Sequence, residues 1–188
     1  MQEESVMKLI ASHWDDGEEV CLDRLNIAPA ESTALVEFLS YIKNFHKLKM
    51  TNCMMEHLAF REFTKLLTKE NENCQLTELH LNKNKLTDED AKSLSNALIS
   101  DKCNLTELDI GDNNLTDEGA EHLSDALMSD KCKLTKLNIS VNHLTDEGAE
   151  HLRNAMMSDK CRLTELNIGG NNLRDEGAKC LSIALMSD

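Results

Sequence analysis

The chain has 188 residues, enough for one compact or one elongated domain, and aromatic residues make up only 3% of it, so its core has to be built from Leu, Ile, Ala and Met. A formal net charge of −14 excludes nucleic acid as a partner, because phosphates would be repelled; it would steer a basic protein on approach, unless it serves solubility alone. No apolar run is long enough for a membrane span, and the start MQEESVMKLIASHW, acidic and with Lys8 inside its short apolar run, is not a secretory signal.

Residues 1–16 are expected to form an N-terminal helical cap. Val6, Leu9, Ile10 and Trp14 fall on one helix face, which would close the open end of a stack of layers. Residues 17–73 carry two degenerate units. In the first, Leu22, Leu25 and Ile27 make a strand-like triplet, Ala28–Pro29–Ala30 a turn, and Leu35, Phe38, Leu39 and Ile42 a helix face. In the second, the triplet is Phe45, Leu48 and Met50, followed by Cys53 and Met55, then Phe60, Phe63 and Leu67. Leu25 to Leu48 is 23 residues and Leu48 to Leu79 is 31, so length wanders while the order of parts is kept. No Gly/Ser linker or charge block interrupts the series, which reads as one continuous domain.

Residues 74–188 hold four regular units. They start at Cys74, Cys103, Cys132 and Cys161, each 29 residues after the last with no insertion, and such a period marks a stacked solenoid. Leu105, Leu108 and Ile110 point inward from a strand while Glu107 and Asp109 point out. A turn rich in Asn and Gly follows, then Thr116 and Asp117 as helix-starting residues. Ala120, Leu123, Ala126 and Leu127 then line one helix face. Neither half can bury its apolar side alone, and stacking closes a continuous core.

The recurring polar residues are read column by column. The cysteines at the four unit starts are expected to be small buried apolar groups. None has a His or second Cys two to four residues away, as a zinc site would. With seven cysteines, an odd number, and no secretory signal, the thiols are expected to be reduced and the chain cytoplasmic. Sequons at Asn104, Asn114 and Asn138 would then carry no sugar. His122 and His151 share one helix position and are expected at the surface; the pair His122 and Ser124 is explained by the repeat and not by a catalytic triad. Gly119, Gly148 and Gly177 lie in first helical turns, where a close backbone approach would require them. No catalytic residue, cofactor or metal site is expected.

Each unit reads L-x-x-L-x-L-x-x-N-x-L, as in Leu76, Leu79, Leu81, Asn84 and Leu86 or Leu105, Leu108, Ile110, Asn113 and Leu115. This resembles the leucine-rich repeat. The 29-residue length and the tail L-T-D-E-G-A-x-x-L are similar to the ribonuclease-inhibitor-like subclass, and the Cys ahead of each strand resembles the repeats of NOD-like receptors. The resemblance implies a right-handed α/β solenoid, a horseshoe segment with parallel strands on its concave face and helices on its convex face. It also implies that Asn84, Asn113, Asn142 and Asn171 form a structural ladder turned inward on turn backbone, with Cys53 holding the same place in the second degenerate unit.

The concave face then displays Glu78, His80 and Lys83; Glu107, Asp109 and Asp112; Lys136, Asn138 and Val141; Glu165 and Asn167. These positions change from copy to copy while the frame does not, as a binding surface would, although solvent-facing positions also drift. Six strands span roughly 25–30 Å, wide enough for about 800 Å² of interface per partner. The acids Glu107, Asp109 and Asp112, flanked by Glu78 and Glu165, suit a basic ligand. The expected function is a non-enzymatic protein-interaction module of intracellular innate-immune type. An acidic inhibitor or capping protein for a basic partner, or a GTPase regulator, is the alternative. The last unit stops at Asp188 with no polar cap, so it is expected to expose Ile168, Leu173, Leu181 and Leu185. That points first to a piece of a longer receptor and second to end-to-end pairing of copies.

Overall fold

The computed structural model describes residues 19–27, 29–42, 45–68 and 75–185. The expected cap at 1–16 and the first cysteine of the column, Cys74, lie outside them.

Strand and helix alternate along the chain. Strands β1 (Glu19–Asp23) and β2 (Asn26–Ile27) precede helix α1 (Pro29–Tyr41); β3 (Lys47–Thr51) and β4 (Met54–Met55) precede α2 (His57–Thr64) and a short 3-10 turn, Lys65–Leu67. Four shorter pairs follow: β5 (Glu78–His80) with α3 (Asp88–Leu98), β6 (Glu107–Asp109) with α4 (Asp117–Leu127), β7 (Lys136–Asn138) with α5 (Asp146–Met156), and β8 (Glu165–Asn167) with α6 (Asp175–Leu185). The main sheet is parallel and six-stranded, in the order β1-β3-β5-β6-β7-β8, and β2 pairs with β4 in a small second sheet. The fold is thus an α/β solenoid. Parallel strands pack about 4.8 Å apart whereas helices need about 8–10 Å, so a stack built of both curves with its sheet on the inside.

The inward residues form one continuous core. Leu79, Leu108 and Leu137 are paired in register across neighbouring strands and are buried, as are Leu94, Leu123 and Leu152 on the helices behind them. The core runs without a break from Val20 into the last units, with Phe45, Phe60 and Phe63 filling the wider degenerate layers. Pro29 corrects the expected turn at 28–30: it opens α1. A proline at the first helical position gives up an N–H that has no partner there anyway, and its fixed φ suits the helix. Nothing in the sequence signals the β2–β4 pair, since two residues are too few to show a periodicity.

Two polar ladders hold the layers in step. Asn113 Oδ1 accepts from the backbone N–H of Asn84 (2.9 Å) and Leu86 (3.0 Å), and its Nδ2 donates to the carbonyls of Leu81, Ile110 and Gly111. Asn142 and Asn171 repeat the pattern one and two units on. Cys53 stands in for Asn by donating from Sγ to the carbonyl of Leu22, and its own N–H is taken by Asn84 Oδ1 at 2.6 Å. On the helix side, Asp117 Oδ1 accepts from the N–H of Thr145 (2.7 Å) and of Gly148 (2.9 Å), while its Oδ2 accepts from the Thr145 hydroxyl. Asp88 binds Thr116 in the same way, and Asp146 binds the N–H of Arg174 and Gly177. The close approach expected at Gly148 is therefore real, but what approaches is a carboxylate: a Cβ there would lie 2.5 Å from Asp117 Oδ1.

Candidate functional site

Strand pleating and register together decide which side chains meet on the sheet face. The first outward row is Glu19, Lys47, Glu78, Glu107, Lys136 and Glu165, each directly across from the next. The second is Cys21, Lys49, His80, Asp109, Asn138 and Asn167. All the expected strand positions from Glu78 to Asn167 therefore share one face. Lys83, Asp112 and Val141 sit just past the strands, in turns where each takes a positive φ of 62°, 54° and 54°. For a β-branched residue this is a strained conformation, and Val141 is also 51% exposed.

Most charges on the face are paired across strands. Lys47 Nζ reaches Glu78 Oε2 at 2.6 Å, Lys49 reaches Glu19 at 2.6 Å, and Lys136 reaches Glu165 at 3.0 Å. The Lys47 hydrogen bond holds the Glu78 carboxyl below its ordinary range, and Glu78 in return raises the lysine. The Glu165 hydrogen bond likewise raises Lys136. Glu19 is lowered first by the Cys21 thiol, which donates to it at 2.8 Å, and then by Lys49.

The middle of the face differs. Glu78 and Glu107 lie directly across from one another, a pairing of like charges that is unfavourable by itself. Glu107 has no lysine or arginine in ion-pair range among the described residues; its near neighbour is His80, Nε2 to Oε1 3.5 Å. Asp109 lies opposite His80, with Oδ2 3.7 Å from Nδ1. Its Oδ1 accepts from the Gly111 N–H (2.9 Å) and from Asn138 Nδ2 (3.0 Å). Asn138 and Asn167 close the same kind of turn onto Ser140 and Gly169. Three of the expected display residues thus also build the local backbone. Beyond β6 to β8 the next outward positions are Gly111, Ser140 and Gly169, too small to fill the surface. A shallow trough of about 530 Å³ lies over the strands β6 to β8 themselves, walled by Glu107, Asp109, Lys136, Asn138, Glu165 and Asn167.

The acidic group expected from the sequence is rearranged. Asp112 stands at the rim, 3.9 Å from Lys83, and Glu165 is neutralised by Lys136. The compact group is Glu78, His80, Glu107 and Asp109, drawn from two units. The 29-residue period held the signal for it, since it sets Glu78 opposite Glu107 and His80 opposite Asp109. Elsewhere, Cys103 and Cys132 are buried, and burial pushes the Cys132 thiol up, as it does Cys53. Cys161 is half-buried. His122 departs from the expected surface placement: it is half-buried, with Nε2 sealed from solvent and 3.7 Å from Glu118. Ser124 beside it is buried, because that helix face packs between two neighbouring helices.

A family model described as leucine-rich repeat matches residues 72–95, 101–124, 130–152 and 160–182. Among solved structures, actin-binding site 2 of leiomodin-1 is similar over 82% of this chain and 88% of its own, with a TM-score of 0.57 at 17% identity. An internalin from Listeria monocytogenes str. 4b F2365 matches over 80% of this chain and 35% of its own, with a TM-score of 0.43 at 19% identity. No curated protein sequence matches.

Proposed function

Because the chain belongs to the leucine-rich repeat family, we propose that it works as a non-enzymatic protein-interaction module whose sheet face grips a basic partner. The observation that carries this reading is the contrast between frame and display. Asn and Asp ladders recur unit after unit, while the outward residues of β5 to β8 differ in charge and size. Within that display only the Glu107–Asp109 region lacks a lysine or arginine counter-charge among the described residues. A lysine or arginine from a partner would supply it, and a net charge of −14 would draw such a partner in.

The finer reading follows the resemblance to ribonuclease-inhibitor-like and NOD-like receptor repeats: cytoplasmic recognition or regulation of innate-immune type. An acidic inhibitor or capping protein is the second reading. It is favoured by the acidic charge, and leiomodin-1, whose matching region is an actin-binding site, is an example of such a scaffold used on another protein.

Affinity capture from cell extract tests the site. The double variant Glu107→Lys, Asp109→Lys should keep the helical circular-dichroism signal and lose at least about tenfold of partner recovery, a change of about 1.4 kcal/mol or more. Undiminished capture by the double variant would remove this face from the proposal. A steep loss of binding with salt favours the inhibitor reading over a shape-driven recognition module.

A further inference from the structure

The geometry points to a divalent transition-metal site on the sheet face, with Glu78, His80 and Glu107 as ligands and zinc as the type of ion. One donor atom from each of the three residues lies within 4.8 Å of the other two. His80 Nε2 is 3.5 Å from Glu107 Oε1 and 3.9 Å from Glu78 Oε2, too long for hydrogen bonds. Donors bound at 2.0–2.1 Å around a tetrahedral ion stand about 3.3 Å apart, so the three atoms already outline one face of such a polyhedron. Small rotations of two glutamate side chains, both about a third exposed, would close it.

The imidazole carries the argument beyond a group of acids. His80 Nε2 is sealed from solvent and has no hydrogen-bond partner among the described residues. A buried ring nitrogen in that condition needs an explanation, and a cation placed between it and the two carboxylates supplies one. The surrounding groups have the form of an outer shell. Asp109 Oδ1 is locked by Gly111 and Asn138, which leaves Oδ2 facing His80 Nδ1 at 3.7 Å. At 3.7 Å this is not a hydrogen bond, but an imidazole turned slightly towards Oδ2 would hold its proton on Nδ1 and leave the Nε2 lone pair to a metal. Lys47 holds Glu78 Oε2, the oxygen nearest His80 Nε2, at 2.6 Å, so a small turn of the carboxylate that brings Oε1 to the ion would keep the lysine on Oε2 and let it orient the ligand. One nitrogen with two carboxylates suits zinc or its neighbours in the transition series; calcium and magnesium prefer oxygen throughout. The fourth position would hold water or a donor from a partner.

Zinc binding can be read on the chain alone, so it stands or falls separately from partner capture. Cobalt(II) and zinc titrations of the full chain under reducing conditions are the test. One equivalent of cobalt should give a visible ligand-field spectrum without a thiolate charge-transfer band, and zinc should displace it. Glu107→Gln and His80→Gln should each weaken zinc at least about tenfold with an unchanged circular-dichroism spectrum, while magnesium and calcium fail to compete. A thiolate band would assign the ion to the cysteines and overturn the proposal. Undiminished affinity in both variants, or no saturable binding by the unaltered chain, would overturn it as well.

Discussion

A single asparagine per unit does the work of several side chains. Asn113 joins two backbone donors of the unit before it to three carbonyls, all buried, where water cannot replace any lost partner. Asn113→Ala would strand those donors at about 1–3 kcal/mol each, so a total loss of roughly 3 kcal/mol or more is expected in a urea denaturation series. Asn171→Ala should cost less, because Asn171 is only half-buried and its neighbours reach water. Cys53 marks the limit of what the position tolerates. A thiol can donate to the Leu22 carbonyl, at 3.6 Å, but it is too weak an acceptor to gather backbone N–H groups as Asn113 does. Val141 makes the opposite point: nothing in its turn needs a β-branched residue at a φ of 54°, and Gly170 fills the equivalent place one unit later at 71°.

Between elements, the decisive contact is a carboxylate reaching from one helix start to the next. Asp88, Asp117 and Asp146, each at the first position of its helix, take the capping residue's N–H in the following unit, and Asp117 and Asp146 also take the glycine N–H at the third. The negative charge lies against the positive end of the helix dipole, so the contact gains electrostatically as well as by hydrogen bonding. In an ordinary helix, Gly→Ala would add about 1 kcal/mol. Here Gly148→Ala should instead destabilise by roughly 1–3 kcal/mol, because its Cβ would sit 2.5 Å from Asp117 Oδ1. In thermal melts the pair Asp117→Ala, Gly148→Ala should lose less than the sum of its two single variants, because without the carboxylate the Cβ has nothing to strike. Strictly additive losses would mean the clash is not with Asp117. Where degenerate and regular units meet, the arrangement is inverted. His57 opens α2 in the place of the Asp, Asp90 stands in α3 in the place of the Gly, and the two are joined at 2.8 Å.

At the level of the whole molecule, each layer is supported by the layers on either side, so stability follows the number of neighbours. Leu108 and Leu137 are sealed between two layers, whereas Leu166 has one neighbour strand and is half-buried. Amides of β8 and α6 should therefore exchange with deuterium at least about tenfold faster than those of β6 and α4. Uniform protection along the chain would show that it opens as one unit. The same geometry produces the outward sheet face: a row of strands too short to twist far carries its outward residues in straight columns, one per layer.

The repeat period, the inward Leu and Ile positions and the Thr-Asp helix starts could be read from the chain, because each follows from local periodicity copied from unit to unit, whereas the inward turn of the asparagines was implied only by the resemblance to the leucine-rich repeat. The degenerate half was harder to read. With 23- and 31-residue steps, no in-phase copy shows that Pro29 opens a helix or that two residues at 54–55 pair with 26–27. The face was legible as columns of residues one period apart, but not as pairs of touching charges. Glu78 and Glu107, or Asp117 and Gly148, are about thirty positions apart, and only the packing of buried leucines into matching slots sets the register that brings them together. Composition thus determined the kind of stack. Tertiary contact decided which charges meet and which stay unpaired, because side-chain distance depends on how the layers seat and not on their order.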